Sequence, residues 1–141
     1  MSRGLFVMFL VASASSRAGA QSYRHPSTCQ DGCMVVSAYR DHGGRTDWNC
    51  GGITYGGHGG TDFATYGGWG AVDEGREVVA VAEGTVVEAH DGEFDRCTTG
   101  SCSGGGGWGN YVAVRHPDGV VTYYAHQRTG SIAVSVGDSV G

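Results

Sequence analysis

Glycine constrains this chain more than any other residue type. It supplies 27 of the 141 residues, far above the usual share of about 7%. The glycines do not form one linker. They punctuate short runs rich in valine and tyrosine, among them residues 78–82, 85–90, 111–116 and 120–126. A glycine inside a helix costs about 1 kcal/mol relative to alanine, and no segment shows a sustained apolar period of 3.6. Short β-branched and aromatic runs separated by turn residues predict a mainly β, antiparallel architecture. Strands are expected at residues 34–39, 78–82, 85–90, 111–116, 120–126 and 131–136. Residues 91–108 read as an insertion, and no helix is expected.

The run 111–126 fixes its own register. Pro117-Asp118-Gly119 is a turn signal, with proline setting φ and glycine free to take the left-handed position. A three-residue loop there sets His116 opposite Val120, Val114 opposite Thr122 and Val112 opposite Tyr124. His126 then lies at the far end, beside Asn110. His116 and His126 stand roughly 20 Å apart along such a hairpin, too far to share one ion.

A second glycine-rich run, Gly57-His58-Gly59-Gly60-Thr61-Asp62-Phe63, sets a histidine and an aspartate four apart. Both are zinc-ligand types. A straight strand would separate them by roughly 13 Å, so they converge only if the backbone curls, and Gly59 and Gly60 remove the steric barrier to curling. Taken alone, the spacing is a weak pattern and better suits a glycine turn in which Asp62 accepts backbone hydrogen bonds and His58 is merely exposed.

The order of motifs across the chain favours ligation. His58-x-x-x-Asp62 resembles the His-x-x-x-Asp zinc motif of the M23 metallopeptidases, the lysostaphin-like peptidoglycan hydrolases. The run from Gly75 to Val87 is similar to that family's G-x-x-V-x-A-x-x-x-G-x-V strand pair. The run from Gly109 to His116, followed by Tyr123-Tyr124-Ala125-His126, resembles its hairpin ending in Tyr-x-His. The stretch 132–140 resembles the family's segment just past that hairpin, and Tyr39-Arg40-Asp41-His42 with Asp47-Trp48-Asn49-Cys50-Gly51 resembles the lead-in of one secreted branch. The likeness covers residues 33–141. It implies a partly open, barrel-like antiparallel core, with His58 and Asp62 as ligands to Zn2+ and His126 as the catalytic histidine that assists proton transfer or steadies the oxyanion. The family's third ligand comes from a His-x-His pair some twenty or more residues past Gly137-Asp138. No His-x-His occurs in these 141 residues, so the core is expected to be incomplete at its C-terminus.

The rest of the sequence bounds the setting. Arg3, the apolar run 5–12 and Ala18-Gly19-Ala20 fit a cleaved export signal over residues 1–20. Residues 21–32 read as a polar, mobile leader and 33–141 as the peptidase-like domain. No segment after the signal is expected to span a membrane, which places the chain in the periplasm or outside the cell. The net charge of −5 gives no basic patch for nucleic acid. Five cysteines in an exported chain suggest disulfides. Spacing pairs Cys97 with Cys102 and Cys33 with Cys50, leaving Cys29 as a free thiol or with a partner beyond residue 141.

His116 reads as structural or exposed, His42 and His90 as unassigned, and His25 as part of the leader. Asp41 reads as a holder of the loop before Cys50. Trp48, Tyr55, Trp69 and Trp108 are candidate groove aromatics. The resemblance implies a zinc endopeptidase acting on peptidoglycan peptides, present as a fragment inactive alone. The alternative is a non-catalytic module of the same family that binds wall peptide or activates another hydrolase.

Overall fold

The hairpin read from Pro117-Asp118-Gly119 lies at the heart of the structure. The computed structural model describes residues 21–28, 34–96, 98 and 107–141. Strand β1 (Met34–Ala38) pairs antiparallel with β2 (Asp62–Thr65). Helix α1 (Gly68–Glu74) comes next, then β3 (Gly84–His90), β4 (Asn110–Arg115), β5 (Val121–Gln127) and β6 (Ser139–Val140). The four later strands form one antiparallel sheet in the order β5-β4-β3-β6. The architecture is mainly β with two antiparallel sheets, and neither closes into a barrel among the described residues.

The predicted register holds at Val112–Tyr124 and Val114–Thr122. The His116 amide donates to the Val120 carbonyl at 2.9 Å, and the Gly119 amide donates back to the His116 carbonyl at 2.9 Å. Gly119 takes φ 88°, the left-handed position that the turn requires. At the far end the register departs from expectation. Asn110 pairs with Gln127 rather than His126, so Tyr111 faces two residues, Ala125 and His126. This is a β-bulge, and His126 sits in it with φ 57°.

The core is small and made of short side chains: Val86, Ala113 and Val114 in the larger sheet, with Ala38, Ala71 and Ala82 around it. Gly84 allows β3 to lie close to β4. A Cβ there would stand 2.6 Å from the Arg115 carbonyl oxygen and 2.6 Å from a Val114 methyl.

His116 is structural, as expected, and it is buried at 3% exposure. Its Nδ1 lies 2.8 Å from the Glu83 carbonyl, which only accepts, so Nδ1 carries the proton. Its Nε2 lies 2.8 Å from the Thr122 hydroxyl. The Thr122 and Tyr124 hydroxyls are 3.0 Å apart, and Tyr124 also accepts the Val81 amide at 2.8 Å. This chain of polar contacts links the hairpin tip to the segment before β3.

Several local expectations are corrected. Residues 68–74 form a helix although three of the seven are glycine or alanine-sized and none caps the start with a side chain. Its support is tertiary: Ala71 is buried, Gly75 closes the end with φ 84°, and Arg96 lies over the Trp69 ring while bonding Asp73. Residues 78–82 join no ladder, and 81–82 are bent. Their backbone bonds go instead to residues 24–26: the Arg24 amide donates to Val81 and the Val79 amide to Pro26. Pro26 has no amide proton to continue the pairing. Residues 22–28, read as the start of a leader, thus lie along this segment, with the Tyr23 hydroxyl on Asp118 and His25 against Phe63. Residues 131–136 form no strand. The Ser135 amide is taken by the Asp138 carboxylate, and backbone bonds to β3 start only at Gly137 and Asp138, both on Val86.

Cys50 carries a free, exposed thiol, so the expected Cys33–Cys50 bond is not formed. Cys29, Cys33, Cys97 and Cys102 lie outside the described residues, as does the expected signal segment 1–20. No helix among the described residues is long and apolar enough to cross a membrane.

Candidate active site

Asp41 builds the approach to the His58 turn. Its Oδ2 accepts the Gly57 amide at 2.9 Å, and its Oδ1 accepts the amides of Gly43 and Thr46. These bonds, with Gly57 first, hold the Asp41 carboxyl below the usual carboxylate range. The Asp41 amide in turn donates to the His58 carbonyl at 2.8 Å. Asp41 thus holds the loop before Cys50, as the sequence suggests, through the amides of Gly43 and Thr46, and Asp47 holds the stretch that follows. Asp47 is buried, and its carboxylate accepts the amides of Asn49, Gly51 and Ile53.

The backbone bends at Gly60, within the glycine pair that the sequence suggests. Gly57, just before His58, has φ 78°, whereas Gly59 and Gly60 avoid the left-handed region and have open space where a Cβ would be. Past this bend, Asp62 opens β2 and is anchored by pairing with Ala38. The result brings the two expected ligands together. His58 Nε2 and Asp62 Oδ1 stand 3.4 Å apart, with side-chain exposures of 9% and 44%.

That approach is not a hydrogen bond. Among the described residues, His58 Nε2 is the one buried side-chain nitrogen or oxygen with no hydrogen-bond partner. Leaving a polar atom so costs about 1–3 kcal/mol unless something fills the position. An imidazole nitrogen and a carboxylate oxygen 3.4 Å apart are two donors of types that suit zinc. Tyr55 touches both residues: its hydroxyl donates to Asp62 Oδ2 at 3.1 Å, and its ring lies 4.3 Å from the His58 ring.

His126 comes from the bulge at the end of β5. Its amide donates to the Trp108 carbonyl at 2.9 Å, and its side chain is exposed beside Gly109. His58, Asp62 and His126 all line one open cleft of about 2070 Å³, together with Tyr55, Trp69 and Trp108. Of the four candidate groove aromatics, Trp48 lies outside it, against Tyr39. His116 lines a separate hollow beside Gly84 and Pro117. Among the described residues, no group of three or more His, Cys, Asp or Glu side chains is arranged to hold a metal. His126 is thus in the cleft without completing a ligand set.

Two contributors were missed from sequence. Asn110 is 1% exposed. Its Oδ1 accepts the Glu93 amide at 2.7 Å, and its Nδ2 donates to the Glu93 and Gln127 carbonyls at 3.0 Å each. Asparagine is disfavoured in strands, so its place at the head of an alternating run was the available signal. Tyr55 reads from sequence only as a groove aromatic, because its partners are set by the fold of the turn.

The family model described as Peptidase family M23 matches residues 56–141. The matched span contains His58, Asp62 and His126. Comparison with curated proteins and with solved structures finds no match.

Proposed function

Because the chain belongs to peptidase family M23, we propose that it carries part of a zinc endopeptidase site for peptide bonds of bacterial peptidoglycan. His58 Nε2 and Asp62 Oδ1 are the proposed ligands. The observation that carries this reading is the orphaned, buried Nε2 of His58 facing a carboxylate oxygen at 3.4 Å. Zinc at such a site supplies Lewis acidity, activating water and polarising a scissile carbonyl. The chain's own residues do the rest. The cleft, open along its length and edged by Trp69 and Trp108, receives an extended peptide. His126, exposed at the cleft, offers a ring nitrogen to hold a proton, pass it to the leaving amine, or donate to the developing oxyanion. With a net charge of −5, capture of wall peptide rests on specific contacts rather than on long-range attraction. Action at the wall places the chain outside the cytoplasm, which the export-like residues 1–20 support.

Catalytic zinc sites use three protein ligands and an open position. Residues 1–141 offer two from the family motif and no His-x-His pair. Residues 21–141 alone are therefore proposed to hold zinc weakly and to lack turnover. The test compares residues 21–141 with a form extended by a His-x-His-bearing segment, measuring zinc by elemental analysis and release of wall peptides. The extended form should take up zinc and cleave, and His58→Ala should abolish its zinc uptake. Stoichiometric zinc and turnover from residues 21–141 would refute the reading.

The lack of a three-residue ligand group among the described residues favours a second reading, a non-catalytic module that binds wall peptide. Peptide binding by the extended form without zinc uptake would support it.

A further inference from the structure

Tyr55 contacts both proposed ligands, yet it has no place in the ligand set. Its side chain is 52% exposed, so core packing does not account for its position. What it does touch is specific. Its hydroxyl donates to Asp62 Oδ2 at 3.1 Å, which leaves Oδ1 as the oxygen facing His58. Its ring lies against the His58 imidazole with centroids 4.3 Å apart and planes at 32°. The Tyr55 ring thus packs beside an imidazole whose Nε2 lies 3.4 Å from Asp62 Oδ1. The tyrosine is itself held firmly. The His58 amide donates to the Tyr55 carbonyl at 3.1 Å, closing a turn between them. The preceding residues are tied to β1's exit: the Thr54 hydroxyl donates to the Tyr39 carbonyl at 2.7 Å and the Tyr39 amide to the Ile53 carbonyl at 2.8 Å.

We propose that Tyr55 is a positioning residue that orients His58 by ring contact and Asp62 by hydrogen bond, presetting the pair for a metal ion. The inference rests on the metal-site reading above and adds to it a residue that no ligand motif contains. Groups that orient ligands from behind typically change metal affinity by about 10–100-fold when removed. The two contacts are separable by substitution. Tyr55→Phe keeps the ring and deletes the bond to Asp62. Tyr55→Leu deletes both.

The experiment uses the form extended by a His-x-His-bearing segment, with zinc alone as the probe and affinity read by competition against a chelating dye. Tyr55→Phe should weaken zinc binding about 10-fold and Tyr55→Leu about 100-fold, with the unfolding midpoint of the metal-free protein unchanged. Ring-current shifts on the His58 ring protons, read by NMR without metal, should persist in Tyr55→Phe and vanish in Tyr55→Leu. Wild-type affinity in both variants, while His58→Ala loses zinc, would overturn the role of Tyr55 and leave the metal site standing. Zinc binding equally weak in wild type and His58→Ala would overturn the site itself, and this role with it. Loss of affinity that tracks a lowered unfolding midpoint would also overturn it, by showing that Tyr55 acts through stability.

Discussion

Replacing Asn110 tests the link between the sheet and the cleft. The side chain is essentially sealed from water and makes three hydrogen bonds at 2.7–3.0 Å, two to Glu93 and one to Gln127. Asn110→Ala deletes all three and leaves the Glu93 amide and the Gln127 carbonyl without that partner. The Glu93 carbonyl keeps the Thr129 hydroxyl. At about 1 kcal/mol net per bond, the expected loss is about 3 kcal/mol. For a domain of this size that lowers the unfolding midpoint by about 10 °C. The assay is urea and thermal unfolding followed by circular dichroism. The local consequence is at the bulge, because Gln127 is the next residue after His126. Without its anchor the ladder is free to slip toward the regular register, in which His126 pairs with residue 110. The His126 ring protons should then shift by NMR. Asn110→Asp is the control. It keeps an acceptor for the Glu93 amide but sets its second oxygen against two carbonyl oxygens. It should be less stable than Asn110→Ala at neutral pH and recover on acidification, when the carboxyl regains a donor proton. A loss below about 1 kcal/mol for Asn110→Ala, with His126 shifts unchanged, would refute the reasoning, since water would then be replacing the side chain at no cost.

Gly57→Ala should destabilise by about 1–2 kcal/mol, because a Cβ is strained at φ 78°, while Gly59→Ala and Gly60→Ala, with open space and no left-handed backbone, should be near neutral in the same unfolding assay. Asp41, Asp47 and Asp91 have carboxyl groups held below the ordinary range chiefly by the amides of Gly57, Gly51 and Gly130 respectively. Their contribution is complete above the unfolded carboxylate pKa of about 3.9 and is lost as pH falls through the lower folded values. Urea midpoints should be level above about pH 5 and fall below it, and Asp91→Asn should make that fall shallower; an unchanged slope would show that Asp91 does not contribute.

The strands legible in the sequence, β1, β3, β4 and β5, were those that carry a run of β-branched or aromatic residues. Residues 111–126 carried a turn, an alternating pattern and a short loop, so even the cross-strand pairs at Val112 and Val114 were readable. Strand β2 was not, because Asp62–Thr65 is four residues long and its partner β1 is more than twenty residues earlier. Helix α1 was hidden by its glycines, whose propensity opposes a helix that tertiary contacts nevertheless support. Residues 78–82 and 131–136 had the composition of strands, but strand composition names only a willingness to pair. In one the available neighbour contains Pro26; in the other, aspartates take the amides. At the site, the His58–Asp62 pair was visible as a spacing, and the bend falls between them, at Gly60. The left-handed backbone at Gly57, just before His58, carried no signal beyond the glycine itself.

The two histidines of the central hairpin show why residue type alone does not identify a site. They lie at opposite ends of the hairpin, and the fold treats them in opposite ways. His116 at the tip has both ring nitrogens engaged, one by the Glu83 carbonyl and one by Thr122, within a buried polar chain that reaches Tyr124 and Val81. A ring with no free nitrogen has nothing left to offer a ligand, and its worth is in fixing where the tip meets the segment before β3. His126 is held through its backbone instead. Its amide is bonded to Trp108, its φ is in a region that side-chain-bearing residues rarely adopt, and the ring is left exposed to the cleft. Such backbone strain costs about 1–3 kcal/mol and persists only where surrounding contacts enforce it; here the Trp108 carbonyl takes the His126 amide and Asn110 holds the carbonyl of Gln127, the next residue. His58 shows a third pattern. Its carbonyl and amide are tied to Asp41 and Tyr55, its ring is nearly buried, and yet Nε2 is unpartnered. Of the three, one imidazole is used up by the fold, one is freed by it, and one is buried with its nitrogen aimed at a carboxylate, which is the arrangement that a metal ion would complete.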